Sequence, residues 1–308
     1  MRRFIYSILL FFVPVYGTLA VIDFCLSKEL QNSNYKGIES WYDLMHGKID
    51  ADVIVMGSSR AWVHVNPIIL DTVLNTSTYN IGIDGSNINR QIQKYKLFRK
   101  FNRKPKVIIQ NIDQNSLGYT IGYMKEQFYP YFWNISMRNI FLPTEPFTFA
   151  DKYIPCYRYY HCFDFETLHG MLVNTKRLLT KGYEGKERIW DGSGLKKVKS
   201  IEFKENDTTM VMLHEYLAEA KAEGIKVVFV YTPLYYKATN KIKNIDEMHS
   251  AYKKIADKYG IPILDYMTMS LCKDTTYFYN AMHLNKKGSE IFSDSLAHDL
   301  KRLGILSQ

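Results

Sequence analysis

Hydrophobic and polar positions follow three regimes along the chain. From Phe4 to about Ile22 nearly every residue is apolar. A run of roughly 20 such residues crosses a bilayer core as a helix. Beyond a polar connector, short unbroken apolar runs alternate with stretches of helical spacing. The runs at 52–57, 78–84, 106–113, 225–233 and 261–266 predict five buried strands. The stretches at 38–49, 66–75, 86–101, 206–224, 245–260 and 286–304 predict helices. Asn66 and Pro67 mark a helix start, and Gly224 and Gly260 mark helix stops. The third regime, about 114–203, is rich in Tyr, Phe and Trp. It keeps no fixed period, although 165–179 reads as helix-like.

Strands alternating with helices imply a parallel sheet covered on both faces. The expected fold is α/β: a flavodoxin-like, doubly wound sheet of about five parallel strands, preceded by one transmembrane helix. The expected division is an anchor at 1–26, a connector at 27–51 and a domain at 52–308, with an insertion or lid at about 114–203. Arg2 and Arg3 precede the apolar run, and no small-x-small cleavage site follows it. An uncleaved, single-pass anchor in the cytoplasmic membrane is expected. Its N-terminus would stay cytoplasmic and its domain would be periplasmic or extracellular.

Composition changes this picture little. The 46% hydrophobic share is that of a folded protein. The net charge of +9 is scattered. Its densest run, Lys94–Lys106, fits either the solvated face of a helix or a polyanion site. No nucleic-acid module signature is present, and nucleic acid is not an expected partner. An exported domain permits a disulfide between Cys156 and Cys162, subject to Cβ geometry. His161 stands beside them without a second ligand pair at metal spacing. Neither a metal nor another cofactor is expected.

In doubly wound sheets, ligands bind beyond the carboxyl ends of the strands. The chemistry-bearing residues there are Ser59 after the first strand, Gly85 and Asn87 after the second, and Asn111, Asp113 or Asn115 after the third. Tyr231 follows the fourth, and Asn280 and His283 precede the last helix. A hydroxyl, a base and a ring of donors are what acyl transfer requires. Ser59 also fits an ordinary helix cap, and Asn285 could cap a helix beginning after His283. The chain lacks a Gly-x-Ser-x-Gly elbow, a phosphate-binding loop and a dinucleotide fingerprint.

"GSSR" at 57–60, "NIGIDG" at 80–85 and "NAMHLNKKG" at 280–288 resemble the SGNH/GDSL hydrolases. The similarity is to their membrane-anchored bacterial branch, which includes proteins of teichoic-acid D-alanylation and alginate acetylation. It covers roughly 52–113 and 225–300. The resemblance implies Ser59 as nucleophile, His283 as base, and Ser59, Gly85 and either Asn111 or Asp113 around an oxyanion. Arg60, Asn87 and Tyr231 are candidate substrate contacts. Asn280 stands where the family has the Asp that orients the histidine. An Asp-to-Asn change at that position costs about 10⁴ in kcat in a serine protease. The implied activity is an esterase or O-acyltransferase acting on acetyl-type esters of envelope or exported polysaccharide. Its partners would be a glycan, the bilayer and a membrane acyltransferase. The alternative is a weakly active or inactive binding or assembly subunit of the same fold.

Overall fold

The computed structural model describes residues 2–118, 125–141, 147–195 and 199–306. In chain order the elements begin with α1 (Arg2–Leu30) and α2 (Ile38–Met45). Next come β1 (Val53–Met56), α3 (Ser59–His64), α4 (Pro67–Leu74), β2 (Thr78–Asn80), α5 (Ile88–Phe101) and β3 (Val107–Asn111). Four short helices follow: α6 (Ile135–Ile140), α7 (Phe149–Tyr153), α8 (Tyr157–Cys162) and α9 (Phe165–Val173). Then come α10 (Asp207–Ala222), β4 (Lys226–Tyr231), α11 (Tyr236–Thr239), α12 (Ile245–Tyr259), β5 (Ile263–Asp265), β6 (Phe278–Asn280), β7 (His283–Leu284) and α13 (Lys286–Arg302).

These elements form two compact units. One comprises residues 47–124 and 179–308 and carries the sheet. Its strands are all parallel, in the order β2-β1-β3-β4-β5. The order reverses between β1 and β3, so the ligand-binding crevice belongs at the carboxyl ends of those two strands. Continuous β-branched runs suit the sheet, because every residue of β1 and β3 is buried on both faces. Val53, Val55, Val107, Ile109, Val228 and Val230 share one core with Phe292, Leu296 and Leu300 of α13.

The other unit comprises residues 1–46 and 125–178. Here an aromatic cluster replaces a sheet. Trp41 lies edge-on to Phe128 at 4.9 Å and to Phe141 at 5.4 Å, and Tyr129 meets Phe132 at 5.6 Å. The single insertion expected at 114–203 therefore divides: 125–178 groups with the N-terminal helix, and 179–203 with the sheet. The expected connector is partly helical, since α1 continues to Leu30. Cys156 carries a free thiol.

Other expectations shift in detail. The second strand ends at Asn80, although Ile81 and Ile83 still donate backbone bonds to Val55 and Gly57. Lys94, expected on a solvated face, is 1% exposed, and burial pushes its pKa down to about 7. The segment before α13 is an antiparallel hairpin, β6–β7, where the sequence reads as a loop.

Candidate active site

Gly57 creates the turn that presents the first serines. A Cβ on it would lie 2.6 Å from the Cβ atoms of Ala61 and Asn111, and its φ is 154°. Only glycine lets α3 start this close to β3. Ser58 is the N-cap of α3, so Ser59 is its first residue. Ser58 makes no capping bond; its Oγ donates to Asp113 Oδ2 at 2.9 Å. The first N–H groups of α3 thus keep their hydrogens for a ligand.

Asn285 positions the histidine. It caps α13 by accepting from Gly288 N–H at 3.0 Å, and its Nδ2 donates to Thr276 O at 2.8 Å. The hairpin preceding it brings His283 to Ser59, with Oγ and Nε2 2.7 Å apart. His283 Nδ1 lies 3.0 Å from Asn280 Oδ1. The orientation of Asn280 follows from a second contact. Met282 N–H can only donate, so the atom facing it at 2.9 Å is the amide oxygen. An acceptor beside Nδ1 places the ring hydrogen there. Nε2 then holds its lone pair toward the Ser59 hydroxyl, which donates to it.

Although one edge of the His283 ring opens on the pocket, enclosure by protein lowers its pKa from 6.5 to about 3. Arg60 adds to the lowering, Asp113 opposes it, and Lys186 lowers it further. The resting base is neutral imidazole. The same surroundings would resist an imidazolium, and Asn280 offers no charge against one.

Asp113 sits at the pocket floor. Arg60 pairs with its Oδ2 at 2.8 Å and also donates to Gln114 Oε1 at 2.9 Å. Asn115 N–H donates to Asp113 Oδ1 at 2.8 Å. Both members of the ion pair are nearly buried, at 6% and 2% side-chain exposure. A paired carboxylate donates nothing, so Asp113 does not serve as an oxyanion donor. It fixes Ser58, Arg60 and the Asn115 loop around the pocket instead.

The pocket encloses about 170 Å³. Ser58, Ser59, Arg60, Gly85, Ser86, Asn87, Asp113, Gln114, Asn115, Met282 and His283 line it. Gly85 takes φ 66°, a left-handed turn that glycine adopts freely, and borders the pocket with its backbone. Asn87 also borders it, while its side chain accepts from Arg90 N–H and donates to Gly118 O at 2.8 Å.

Two expected residues lie elsewhere. Asn111 is still within β3, and its Nδ2 donates across the ladder to Val230 O at 3.2 Å. It is not an oxyanion donor; Asn115, four residues on and exposed, occupies that side of the pocket. Tyr231 packs its ring against His249 at 5.0 Å and Tyr252 at 5.8 Å, in the core rather than beside substrate.

His64 is the residue that sequence reasoning missed. It is fully buried, and its Nε2 accepts from Leu284 N–H at 3.0 Å. Its ring stands edge-on to His283 at 6.0 Å. The helix that carries Ser59 thus also holds the backbone beside His283. The only signal was its spacing of five residues from Ser59, which periodicity does not distinguish from packing.

The fold resembles several solved structures at low identity. A GDSL-like lipase from Bacteroides thetaiotaomicron VPI-5482 is 13% identical, with 82% of this chain and 88% of that chain covered and a TM-score of 0.42. A proposed acylhydrolase from Bacteroides fragilis NCTC 9343 is 13% identical over 82% and 86%, with a TM-score of 0.41. A proposed lipolytic protein of the G-D-S-L family from Desulfitobacterium hafniense DCB-2 is 11% identical over 81% and 99%, with a TM-score of 0.41. No family model and no curated protein matches the chain.

Proposed function

We propose that the protein is a serine esterase or O-acyltransferase for short acyl groups. The observation that carries this reading is the bonded series Ser59 Oγ, His283 Nε2, His283 Nδ1, Asn280 Oδ1, at 2.7 Å and 3.0 Å on either side of the ring. In the first step Ser59 Oγ passes its proton to His283 Nε2 and bonds to the carbonyl carbon of an ester. The N–H groups of Ser59 and Gly85, with Asn115, receive the oxyanion. The carbon–oxygen bond of the ester then breaks, and His283 Nε2–H protonates the departing alcohol. Water or a sugar hydroxyl repeats the sequence on the acyl-enzyme and regenerates Ser59.

Pocket chemistry supports a short acyl group. A volume near 170 Å³ leaves room for a small group beside Ser59. Met282 is the one apolar side chain in the lining, so no channel for a long acyl chain is present among the described residues. The polar rim suits a sugar ester, and envelope or exported polysaccharide is our proposed substrate class. The apolar part of α1 would anchor the chain in the cytoplasmic membrane. Of the described helices, it is the one long and apolar enough to cross a bilayer. Arg2 and Arg3 would remain cytoplasmic, and a membrane acyltransferase would be the natural acyl donor.

The neutral Asn280 and the lowered His283 pKa favour a second reading, a glycan-binding or assembly subunit that no longer turns over. Hydrolysis of acetyl, butyryl and octanoyl nitrophenyl esters by the full chain tests the choice. The enzyme reading expects acetyl to be preferred and activity to vanish in Ser59→Ala. Activity equal in Ser59→Ala and wild type would leave the binding reading standing.

A further inference from the structure

We infer that α7 and the residues following it lie within the outer leaflet of the membrane, beside the anchor helix; the inference rests on the anchor reading of α1. From Leu10 to Ile22 α1 is largely exposed, with Leu10 at 76% and Val21 at 62%. At Asp23 its character changes. Asp23 is fully buried, pairs with Arg158, and accepts from Trp133 Nε1 at 2.7 Å and Cys156 N–H at 2.6 Å. A carboxyl group with so many donors, one of them an indole, belongs at the edge of the hydrocarbon. Asp23 thus marks a polar anchor point on α1, although Phe24 beyond it is still 43% exposed.

Part of the aromatic unit extends below that level. Tyr16 Oη donates to Tyr153 O at 2.8 Å, and Cys156 Sγ donates to Leu19 O at 3.7 Å. At ~1.5 Å rise per residue, Tyr16 lies roughly 10 Å further into the bilayer than Asp23. Side chains lean toward the helix N-terminus, so the Tyr16 hydroxyl does not reach back outward. Tyr153 ends α7, where a carbonyl lacks an intrahelical partner, and Tyr16 supplies one. A satisfied helix end is what backbone at membrane depth requires. The same turn exposes large apolar side chains, with Lys152 half-buried beside them. Phe149 is 74% exposed and lies tilted against Tyr153 at 4.7 Å, and Ile154 is 46% exposed. Lipid acyl chains are the occupant that fits an aromatic face held at that depth against a lipid-facing helix.

The test places photoreactive benzoylphenylalanine at Val13, Phe149 or Ile154 of the full chain, reconstituted in phosphatidylethanolamine–phosphatidylglycerol vesicles. Lipid adducts are read by mass spectrometry. The expected result is lipid adducts at 149 and 154 in yields comparable to that at 13. Adducts at 13 with none at 149 and 154 would overturn the inference while leaving the anchor intact. Protein-only adducts at 149 would overturn it in favour of a partner chain. No lipid adduct at 13 would remove the anchor itself, and the inference with it.

Discussion

Each compact unit buries a carboxylate against an arginine, and the two pairs are put to different uses. Asp23 and Arg158 are sealed on all sides, with side-chain exposures of 0% and 4%. Asp113 and Arg60 are almost as buried, yet both border the pocket that holds Ser59 and His283. The sealed pair fixes a helix exit. The pair beside the pocket sets loop positions and tunes the base, with Arg60 lowering the His283 pKa and Asp113 raising it. Burial alone does not separate a structural ion pair from one that shapes chemistry; what the pair faces does.

Chemistry on the pocket side should break most sharply at Ser59, the proposed nucleophile. Ser59→Ala is expected to lower kcat for an acetyl ester by on the order of 10⁴ or more, with unchanged thermal unfolding. The sealed side breaks at Arg158. Arg158→Ala leaves Asp23 buried without its counter-charge, which costs about 3–5 kcal/mol; a large fall in the melting midpoint in detergent checks it. Asn280→Asp adds the charge that stabilises imidazolium and should raise kcat at least about tenfold. Steady-state kinetics with unchanged or lower kcat would show that another group orients His283.

Arg60→Ala sharpens the contrast, because Asp113 keeps Ser58 Oγ, Asn115 N–H and water from the pocket. A loss of roughly 1–3 kcal/mol is expected, less than at Arg158. The pH profile should move as well. In the wild type the base is neutral above about pH 3, so kcat/KM should show no acid limb between pH 5 and 8. Removing Arg60 raises the His283 pKa and moves an acid limb upward. Stability also depends on pH. His283 and His64 both titrate below their ordinary 6.5 in the folded chain. The unfolded chain binds their protons first, so stability is complete above pH 6.5 and falls as pH drops below it. Melting midpoints from pH 8 to 4 report this.

The two units also differ in how much of them the sequence reveals. In the sheet-bearing unit, buried parallel strands must be largely continuous apolar runs, and residues such as Val107, Ile108 and Ile109 stand out for that reason. Ser59 and Gly85 were legible because such a sheet gathers its loops beyond the strand ends, and His283 lines the same pocket. Asn111 misled because the end of a strand is set by ladder bonds: β3 continues through Asn111 to pair with Val230, and the pocket begins two residues later. His64 was hidden because its role lies in one bond to a backbone N–H more than two hundred positions away. In the other unit, Trp41, Phe128 and Phe141 pack as a cluster around short turns. No repeat along the chain encodes such contacts, so the grouping of 125–178 with α1 was not legible. Asp23 follows the apolar run as a lone charge and was passed over, because its partner Arg158 lies in the region without a period.

The central claim is that Ser59 is a nucleophile activated by His283. Intact-mass measurement of the full chain after treatment with a fluorophosphonate tests it most directly. The account predicts one adduct, mapped to Ser59 and lost in both Ser59→Ala and His283→Ala. A folded wild-type chain that takes up no probe, or takes it up equally in Ser59→Ala, would contradict it.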